Sequence, residues 1–262
     1  KLIKINNTTI ISPIFLSYHC WIKYIHFYYL QSILRVKHVF KNICKIFGDV
    51  KALDDINFEV KKGEWVSVMG PSGSGKSTLV NILSLMDTPS SGTYMLGGDD
   101  ASNLNADDTL KFRREKIGLI FQQFHLVPYL SALENVMIAQ YYHSSVDEED
   151  AKKALEAVGL SHRLTHRPSQ LSGGEQQRLC IARSLINDPE ILIADEPTGN
   201  LDEANERVIL DLFCKLRKDG KTILLVTHNP DLGEYGDKIV YLRHGKLEKI
   251  RTIENPKVPN EI

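Results

Sequence analysis

The sequence predicts an α/β fold built around a mostly parallel β-sheet. Four short apolar runs carry this prediction, at residues 65–69, 117–121, 191–194 and 222–226. They do not alternate between apolar and polar residues, which is typical of strands buried on both faces of a parallel sheet. Each run is followed by residues that can bind or act on a ligand: Gly70, Gln122, the pair Asp195 and Glu196, and the pair Thr227 and His228. Because ligands bind at the carboxyl ends of such strands, these ends predict one shared site.

The composition is that of a globular protein. Of 262 residues, 42% are hydrophobic and 25% are charged, which suits one large domain or two small lobes that share a core. The formal net charge of -1 argues against a duplex nucleic-acid binder, which usually carries a basic face, so we expect no nucleic-acid partner. The cysteines are widely spaced and predict reduced thiols rather than disulfides or a zinc site: Cys20, Cys44, Cys180 and Cys214.

Residues 10–34 are rich in Ile, Tyr and Phe, and no acidic residue precedes Asp49. About 20 apolar residues can cross a bilayer, so one interpretation is a membrane span. The other is an extension ahead of the folded domain, which we favour because four residues inside the stretch disfavour a span: Pro13, His19, Lys23 and His26. No Ala-x-Ala-like site follows, which disfavours a cleaved secretory signal.

These features predict an extension over residues 1–33, a main domain over 34–250 and a tail over 251–262. After Arg35 no stretch has the length and apolar character of a membrane span. If the protein moves a molecule across a membrane, we therefore expect another subunit to supply the path.

The glycine-rich segment after the first apolar run predicts a nucleotide site. It fits the pattern G-x-x-x-x-G-K-[ST] and comprises Gly70, Pro71, Ser72, Gly73, Ser74, Gly75, Lys76, Ser77 and Thr78. In such a loop the backbone N–H groups point at phosphate oxygens and the following helix adds the positive end of its dipole. Lys76 is expected to reach the β- and γ-phosphates of ATP, and the Ser77 hydroxyl to bind Mg²⁺. The motif alone does not separate transporters from kinases, GTPases or helicases.

Asp195 and Glu196 predict the rest of the catalytic chemistry. A carboxylate after an apolar strand, such as Asp195, is the usual magnesium-binding group of this type of site. Glu196 is the candidate general base that polarises a water in line with the γ-phosphate. The alternative is an Asp-Glu pair that merely starts a solvated loop.

Residues 171–178 (Leu-Ser-Gly-Gly-Glu-Gln-Gln-Arg) predict a second anion-binding helix start. Ser172 and Glu175 form an S-x-x-E capping box ahead of a helical pattern. Gly173 and Gly174 follow the cap and are expected to expose the first backbone N–H groups. The alternative is only a well-capped helix, but a single nucleotide hardly needs two phosphate-binding helix starts.

This segment resembles the signature motif of the ABC family of ATPases, and the resemblance extends from about Arg35 to Lys249. It implies a P-loop NTPase fold with a RecA-like core, an antiparallel β subdomain at the edge and an inserted helical subdomain at about residues 123–185. It also implies that two subunits meet head to tail. Each ATP then lies between one phosphate loop and the partner's signature residues, Ser172, Gly173, Gly174 and Glu175.

Further residues take their roles from the same resemblance. Gln122 matches the glutamine of the Q-loop, which touches Mg²⁺ and faces the membrane partner. Asp202 matches the D-loop, which links the two sites of the dimer. His228 matches the switch histidine, which contacts the γ-phosphate and positions the water. Phe47 lies where the family places a ring, more often Tyr, that stacks on adenine, although a core residue is the alternative there.

Residues 124–136 are unusually apolar for a segment after a catalytic loop. The resemblance places them beside the groove that receives a permease helix, so we interpret their apolar side chains as a partner contact: Leu126, Val127, Tyr129 and Leu130. Ordinary packing within a small helical lobe is the alternative for each of them.

Within the family, residues 121–128 and 194–202 are similar to one branch. It includes the ATPases of lipoprotein-releasing systems, of macrolide and peptide exporters, and of FtsE-like proteins. The resemblance implies an ATP-hydrolysing subunit that uses ATP and Mg²⁺, pairs with a second ATPase subunit and drives a membrane permease. We expect it in the cytoplasm, peripheral on the inner face of the cell membrane.

Two other classes fit less well. DNA-acting members of the superfamily separate the phosphate loop from the signature by long coiled coils or zinc modules. Here no heptad run or Cys cluster lies between Lys76 and Ser172, and the chain carries one ATPase copy where ribosome-acting members carry two. A P-loop kinase would leave the signature and His228 unexplained.

Overall fold

The computed structural model describes residues 3–5, 8–10, 36–141 and 146–258. It divides into two units, residues 1–36 and residues 37–262. In the first unit the strands β1 (Ile3–Ile5) and β2 (Thr8–Ile10) pair antiparallel, with Ile3 opposite Ile10. Most of the extension predicted over residues 1–33 lies outside the described residues, as do residues 34 and 35.

The elements after residue 35 form two sheets and a set of helices. The strands are β3 (Val36–Phe47), β4 (Val50–Lys61), β5 (Trp65–Met69), β6 (Ser91–Leu96), β7 (Asp99–Asp100), β8 (Ile117–Ile120), β9 (Ile191–Asp195), β10 (Ile223–Thr227), β11 (Lys238–Arg243) and β12 (Lys246–Thr252). The helices are α1 (Lys76–Leu83), α2 (Ala106–Lys116), α3 (Ala132–Tyr141), α4 (Glu148–Ala157), α5 (Gly173–Leu185), α6 (Glu203–Lys218) and α7 (Pro230–Gly233).

The larger sheet has the strand order β12-β11-β5-β10-β9-β8. β12 pairs antiparallel with β11, and the other neighbouring pairs are parallel. The register sets Thr227 beside Met69 and Asp195 beside Val226, so the carboxyl ends of β5, β9 and β10 lie at one edge. Every residue of β5 and β10 is buried. The predicted, mostly parallel α/β sheet is confirmed.

Side chains from this sheet enter two apolar clusters. Along β10, Leu224 and Val226 pack into one cluster with residues of α1, whereas Ile223 and Leu225 pack into another with residues of α5 and α6. Burial of one such side chain contributes about 1.5–3 kcal/mol to folding. Because successive side chains anchor a strand to both layers, the strand ends are held firmly at the edge of the sheet.

The smaller sheet has the order β4-β3-β6-β7, and β6 pairs antiparallel with β3 and with β7. Phe40 stacks on Phe58 and Tyr94, with ring centroids 4.4 Å and 4.7 Å apart. The hydroxyl of Tyr94 donates to the backbone oxygen of Leu83 at 3.0 Å. This bond ties the sheet to the end of α1. The predicted antiparallel β subdomain is confirmed.

Helices α3, α4 and α5 fall inside the range predicted for the helical subdomain. Each contributes a buried residue to the same apolar cluster, namely Val136, Leu155 and Leu179. The boundaries of this subdomain, of the main domain and of the tail stay predictions. In the part of the chain that the structure describes, no helix is long and apolar enough to cross a bilayer.

The residues after β12 lie beside α7 and the segment that follows it. The backbone N–H of Ile253 donates to the oxygen of Asp237 at 2.8 Å, and that of Lys257 to the oxygen of Glu234 at 2.9 Å. The ammonium of Lys257 also donates to the carboxylate of Asp231 at 3.0 Å. The described part of the predicted tail therefore packs against α7 and the segment that follows it.

Candidate active site

The loop at residues 70–75 joins β5 to α1, which is the context that the sequence predicts. Helix α1 begins at Lys76 without a side-chain cap, directly after Gly75 with a φ of 101°. The N–H groups of its first turn can therefore bind an anion, and the helix dipole favours negative charge there. The ammonium of Lys76 donates to the backbone oxygens of Gly70 at 2.7 Å and Pro71 at 3.1 Å. This contact holds a positive charge over the loop.

Two glycines of the loop are required by close packing. A Cβ atom at Gly70 would lie 2.3 Å from the backbone oxygen of Leu242, and one at Gly75 would lie 2.8 Å from that of Ala52. Both neighbours are backbone atoms of the sheets, so neither can move aside cheaply. At Gly75 the positive φ is a second reason, because residues with a side chain are strained in the left-handed backbone conformation. The loop therefore depends on glycine at both positions.

A cleft of about 460 Å³ lies over the loop and is lined by residues of the loop, of α1, of the start of β4 and of the turn after β11. Val50 lines it, and Phe47 ends the preceding strand. The ring of Phe47 is 51% exposed, with the ammonium of Lys45 5.0 Å from its centroid. Phe47 is thus not a core residue. An exposed ring next to a phosphate cleft suits stacking on a base, and that role stays a prediction.

Asp195 ends β9 at the same edge of the sheet. Partial burial raises the pKa of its carboxyl group, the charge of Glu196 raises that pKa further, and the ammonium of Lys76 opposes both effects. A partly buried carboxylate in this setting is stabilised by a cation. The structure therefore gives Asp195 an environment that suits a magnesium ligand.

The three residues predicted to bind Mg²⁺ offer oxygen donors: the hydroxyl of Ser77, the amide of Gln122 and the carboxylate of Asp195. Mg²⁺ prefers such hard ligands, so the set fits this ion. Nε2 of Gln122 donates to Oδ1 of Asn200 at 3.3 Å, which leaves the amide oxygen of Gln122 as the atom able to face a cation. Nδ2 of Asn200 donates in turn to the backbone oxygen of Gln122 at 3.0 Å.

Glu196 and His228 meet at this edge. Nδ1 of His228 lies 2.7 Å from Oε1 of Glu196, and the hydroxyl of Thr227 donates to Oε2 of Glu196 at 3.3 Å. Glu196 has a φ of 47°, a left-handed conformation that is strained for a residue other than glycine. Its backbone N–H donates to Val226 at 2.9 Å, which fixes it to β10. The carboxylate is thus held by two neighbours, His228 and Thr227, and the backbone by a third, Val226.

The signature segment begins α5 with the capping box that the sequence predicts. The backbone N–H of Ser172 donates to Oε2 of Glu175 at 2.8 Å, and that of Glu175 donates to the Ser172 hydroxyl at 3.3 Å. Nε of Arg163 donates to Oε1 of Glu175 at 2.8 Å. The hydrogen bond from the N–H of Ser172 and, to a lesser degree, the hydrogen bond from Arg163 lower the pKa of Glu175 to about 2. This carboxylate is therefore charged at neutral pH.

The two signature glycines differ in their surroundings. Gly173 is exposed, whereas Gly174 is buried, and a Cβ atom there would lie 1.9 Å from Oδ1 of Asn205. Asp202 caps the start of α6 by accepting from the backbone N–H of Asn205 at 2.8 Å and from its Nδ2 at 2.9 Å. The D-loop and the signature helix therefore meet at Asn205.

The structure brings most of the predicted residues together. The phosphate loop, Asp195, Glu196 and His228 lie at the ends of neighbouring strands. Ser172 and Gly173 do not line the cleft over the loop. The signature of this chain is thus separate from the chain's own phosphate cleft.

Sequence reasoning missed four residues that shape the site: Thr227, Asn200, Asn205 and Arg163. The sequence places Thr227 after an apolar run but predicts no specific role for it, although a hydroxyl before a candidate histidine is a usable signal. Asn200 falls within residues 194–202, which resemble one branch of the family, but no role is predicted for it, and its partner Gln122 lies 78 residues away. No local pattern signals the contacts of Asn205 with Gly174 or of Arg163 with Glu175.

A second cleft, of about 550 Å³, is lined by residues of α2, β8, α3 and α5. Its rim carries the exposed apolar side chains of Met86 and Leu110 and the guanidinium of Arg113. Of the apolar residues singled out nearby, Leu126 packs partly buried against the helical cluster, whereas Tyr129 is 72% exposed. Packing within the helical lobe therefore accounts for Leu126, whereas the partner contact of Tyr129 stays a prediction.

Asn135 holds the segment between Gln122 and α3 in place. Its side chain is fully buried and accepts from the backbone N–H of Val127 at 2.8 Å. Its Nδ2 donates to the oxygens of Val127, Leu130 and Ser131 at 3.0–3.1 Å. These bonds satisfy a loop that has no strand or helix of its own.

Comparison with known proteins identifies the class. A family model described as ABC transporter matches residues 53–199. An ABC transporter ATP-binding protein of Methanocaldococcus jannaschii, MJ1508, is 47% identical over 80% of this chain and 97% of its own length. YknY of Bacillus subtilis is 44% identical over 74% of this chain and 86% of its own length. The chain belongs to the ABC transporter family.

The comparisons also support the predicted branch. The macrolide export protein MacB of Chlorobaculum tepidum is 44% identical over 81% of this chain, which matches 34% of that protein's length. The solved structure of the cassette MJ0796, a dimer bound to ADP and Pi, has a TM-score of 0.76 at 39% identity and covers 83% of this chain and 99% of its own. This protein is an ATPase subunit of an ABC transporter, of the branch that contains MacB, MJ0796 and YknY.

Proposed function

We propose that two copies of this chain close around two ATP molecules, hydrolyse them, and thereby drive a separate membrane permease of the export, lipoprotein-release or force-transmitting type. One observation carries the proposal. Glu196, held in a strained backbone conformation, is bonded to His228 at the same sheet edge as the phosphate loop. This is the arrangement that water activation at a γ-phosphate requires.

In the proposed mechanism the N–H groups of the loop and the ammonium of Lys76 bind the β- and γ-phosphates. Ser77, Asp195 and the amide oxygen of Gln122 would hold Mg²⁺. When bound, Mg²⁺ supplies neutralisation of phosphate charge. Phe47 offers its exposed ring to the adenine.

Glu196 accepts a proton from the attacking water. The contact with His228 and the hydroxyl of Thr227 orient its carboxylate for this transfer. His228 is 72% exposed at its side chain, so its free edge can reach the γ-phosphate. Proton transfer and orientation together account for turnover at this site.

In this proposal the signature residues connect the two copies of the chain. Ser172, Gly173, Gly174 and Glu175 lie outside the chain's own cleft, so they serve the ATP of the partner subunit in this proposal. The cassette MJ0796, to which the chain is similar, has been solved as a dimer. Asp202 lies at the start of α6 and is proposed to contact the partner across the interface.

The permease is proposed to dock in the cleft between α2, β8, α3 and α5. The exposed side chains of Met86 and Leu110 offer apolar surface there, which suits a contact with another protein. MacB of Chlorobaculum tepidum is named for both ATP-binding and permease functions, and the chain matches 34% of its length. A permease partner would hold the chain on the cytoplasmic face of the cell membrane.

The test is a pair of variants. Glu196→Gln should bind ATP, lose turnover by about 10²–10⁴-fold and accumulate as a dimer, since only proton transfer is removed. Ser172→Arg should bind ATP as a monomer and fail to dimerise, because the new side chain blocks the partner's phosphates. Size-exclusion chromatography with light scattering and a phosphate-release assay measure both effects. Rapid turnover by Glu196→Gln, or loss of monomer binding by Ser172→Arg, would overturn the proposal.

The permease is tested with the Glu196→Gln chain isolated from native membranes. Recovery of a polytopic membrane protein supports the docking proposal, and Leu110→Asp should abolish the recovery by placing a charge on the apolar rim. Recovery with DNA or ribosomes in the soluble fraction would leave the ATPase chemistry intact and refute the transport role.

A further inference from the structure

The end of β3, which carries Phe47, is tied to the segment that follows α1. The backbone N–H of Ile46 donates to the hydroxyl of Ser90 at 3.0 Å, and that of Ser90 donates to the oxygen of Cys44 at 2.8 Å. The same segment is bonded to α1, because the N–H of Asp87 donates to the oxygen of Asn81 at 3.0 Å. Since α1 follows the phosphate loop directly, these bonds fix the end of β3 relative to that loop.

The side chain of Lys45 joins this segment to the ring of Phe47. Its ammonium donates to Oδ1 of Asp87 at 2.5 Å and to the backbone oxygen of Thr88 at 2.8 Å. The same ammonium lies over the ring of Phe47, 5.0 Å from its centroid, which is within the range of a cation–π attraction. The side chain of Lys45 is only 11% exposed, which is unusual for a lysine. The cation is therefore held in one place by two oxygens and presented to the ring.

The ring itself is 51% exposed. An exposed side chain can occupy several rotamers, and a ring that stacks on a ligand must first be restricted to one of them. A fixed cation over one face favours the rotamer that keeps this contact. It leaves the opposite face for a flat ligand.

We propose that Lys45 is a positioning residue for the nucleotide base, whose ammonium, held by Asp87 and Thr88, fixes the ring of Phe47 at a set place relative to the phosphate loop. The inference rests on the proposed function, in which Phe47 stacks on adenine. It adds the side chain that orients this ring before the nucleotide arrives. The loss of Lys45 is then a loss of base binding and leaves phosphate binding intact.

Two simpler roles of Lys45 make different predictions. If its ammonium only held the strand, the bonds of Ile46 and Ser90 would duplicate that role, because they hold the end of β3 without it. If it only supplied positive charge near the cleft, it would strengthen the binding of any polyphosphate, with or without a base. A probe that lacks the base therefore separates these roles from the proposed one.

The test measures the Kd of ADP and of inorganic tripolyphosphate for the full chain by isothermal titration calorimetry. ADP carries the base and has no γ-phosphate to lose, whereas tripolyphosphate occupies a phosphate site without a base. Lys45→Met keeps much of the side-chain volume and removes the cation. It should weaken ADP binding about three- to tenfold, the size of a cation–π contact, and change tripolyphosphate binding by less than about twofold.

Two further variants frame this result. Lys41→Met removes an exposed lysine of the same strand and is the matched control, which should leave both Kd values unchanged. Lys45→Arg keeps a cation that can lie over the ring and should restore ADP binding to within about twofold of the unaltered chain. In ATP hydrolysis, Lys45→Met should raise KM and leave kcat within about twofold, because only binding is lost.

A measurement without nucleotide tests the contact itself. Protons that lie over an aromatic ring resonate upfield, so the ε-methylene protons of Lys45 should be shifted upfield in the NMR spectrum of the nucleotide-free chain. Phe47→Leu should remove this shift. An unshifted signal in the unaltered chain would overturn the inference.

The binding data can overturn it in two ways. Equal weakening of ADP and tripolyphosphate by Lys45→Met would assign Lys45 to charge or to the fold, and unchanged ADP binding would leave it no role in base binding. Phe47→Leu separates this failure from a failure of the proposed function. If Phe47→Leu leaves ADP binding unchanged, Phe47 does not stack on the base and both ideas fail. If Phe47→Leu weakens ADP binding and Lys45→Met does not, only the inference is wrong.

Discussion

Two regions of this protein are held in place by different forces. One is the edge of the sheet that carries Glu196 and His228, called the catalytic edge here. The other is the start of α5 with residues 172–175, called the signature end. Glu196 follows β9, which lies beside the wholly buried strand β10, and its backbone N–H donates to the oxygen of Val226 at 2.9 Å. The start of α5 is held by polar side chains at or near the surface, chiefly Glu175, Arg163 and Asn205. One region is positioned by the sheet and its core, and the other by hydrogen bonds.

This difference matches the work that is proposed for each region. Activation of a water needs a carboxylate that does not move, and a strand anchored on both faces provides it. A signature that must meet a second molecule gains from adjustable contacts, which small changes in the hydrogen-bond network can re-aim. The comparison predicts that the catalytic edge is sensitive to loss of volume in the core. It also predicts that the signature end is sensitive to local geometry.

The largest stability effect is expected at the sheet. Ile193 is fully buried in β9, directly below the carboxylates. Ile193→Ala should lower the free energy of unfolding by about 2–5 kcal/mol, since it deletes buried methylenes and leaves a cavity. Urea denaturation followed by circular dichroism measures it. Ile250→Ala, at a side chain 44% exposed, is the matched control and should change stability little. Equal effects at both positions would contradict the account of the sheet as the anchor.

A smaller effect is expected at the signature. Gly174→Ala places a Cβ atom against Asn205, at 1.9 Å in the present arrangement, so the start of α5 must shift. We expect a loss of about 1–3 kcal/mol in stability and a loss of ATP-dependent dimerisation. Gly173→Ala is the comparison for stability, because its nearest neighbour would be 3.6 Å away. If Gly174→Ala were as stable as Gly173→Ala, the close approach would not constrain this helix.

The fold could be predicted from the sequence because the signals for its strands and motifs are local. The run at residues 65–69 is β5 residue for residue, and the glycine loop and the capping box of Ser172 follow from short motifs with a physical reason at each position. Local signals also predict that the site lies at one edge of the sheet. Once four strands are parallel, their carboxyl ends meet, whatever the distance between them in the chain.

Contacts between distant segments could not be predicted in this way. The bonds between Gln122 and Asn200 join positions 78 residues apart, and a single sequence carries no record of such pairs. The pair of Arg163 and Glu175 spans a turn whose shape depends on the packing of the helical segment. The sequence leaves two interpretations of Phe47 open, a ring that stacks on adenine or a core residue. The exposure of its side chain decides between them, and that exposure depends on the whole fold rather than on the neighbours in sequence.

The smallest effect is expected at Arg163, and it separates two supports of Glu175. The N–H of Ser172 is the main cause that lowers the pKa of Glu175 from 4.5 to about 2, and Arg163 is a lesser one. A lowered carboxyl pKa stabilises the fold above pH 4.5, and this contribution is lost as the pH falls from 4.5 towards 2. Arg163→Ala should therefore cost only about 0–1 kcal/mol at pH 7.

The variant should also keep most of this dependence on pH, because the bond from Ser172 remains. Glu175→Gln, in contrast, should remove the part of the dependence that Glu175 contributes, whereas other carboxyl groups with a lowered pKa, such as that of Asp202, still titrate. Melting temperatures at pH 7 and pH 3.5 for the two variants and the unaltered chain measure the difference. If Arg163→Ala lost the acid sensitivity as fully as Glu175→Gln, the ion pair rather than the capping box would hold the start of the signature helix. The start of α5 would then be held mainly by charge, rather than by the hydrogen bonds of the capping box.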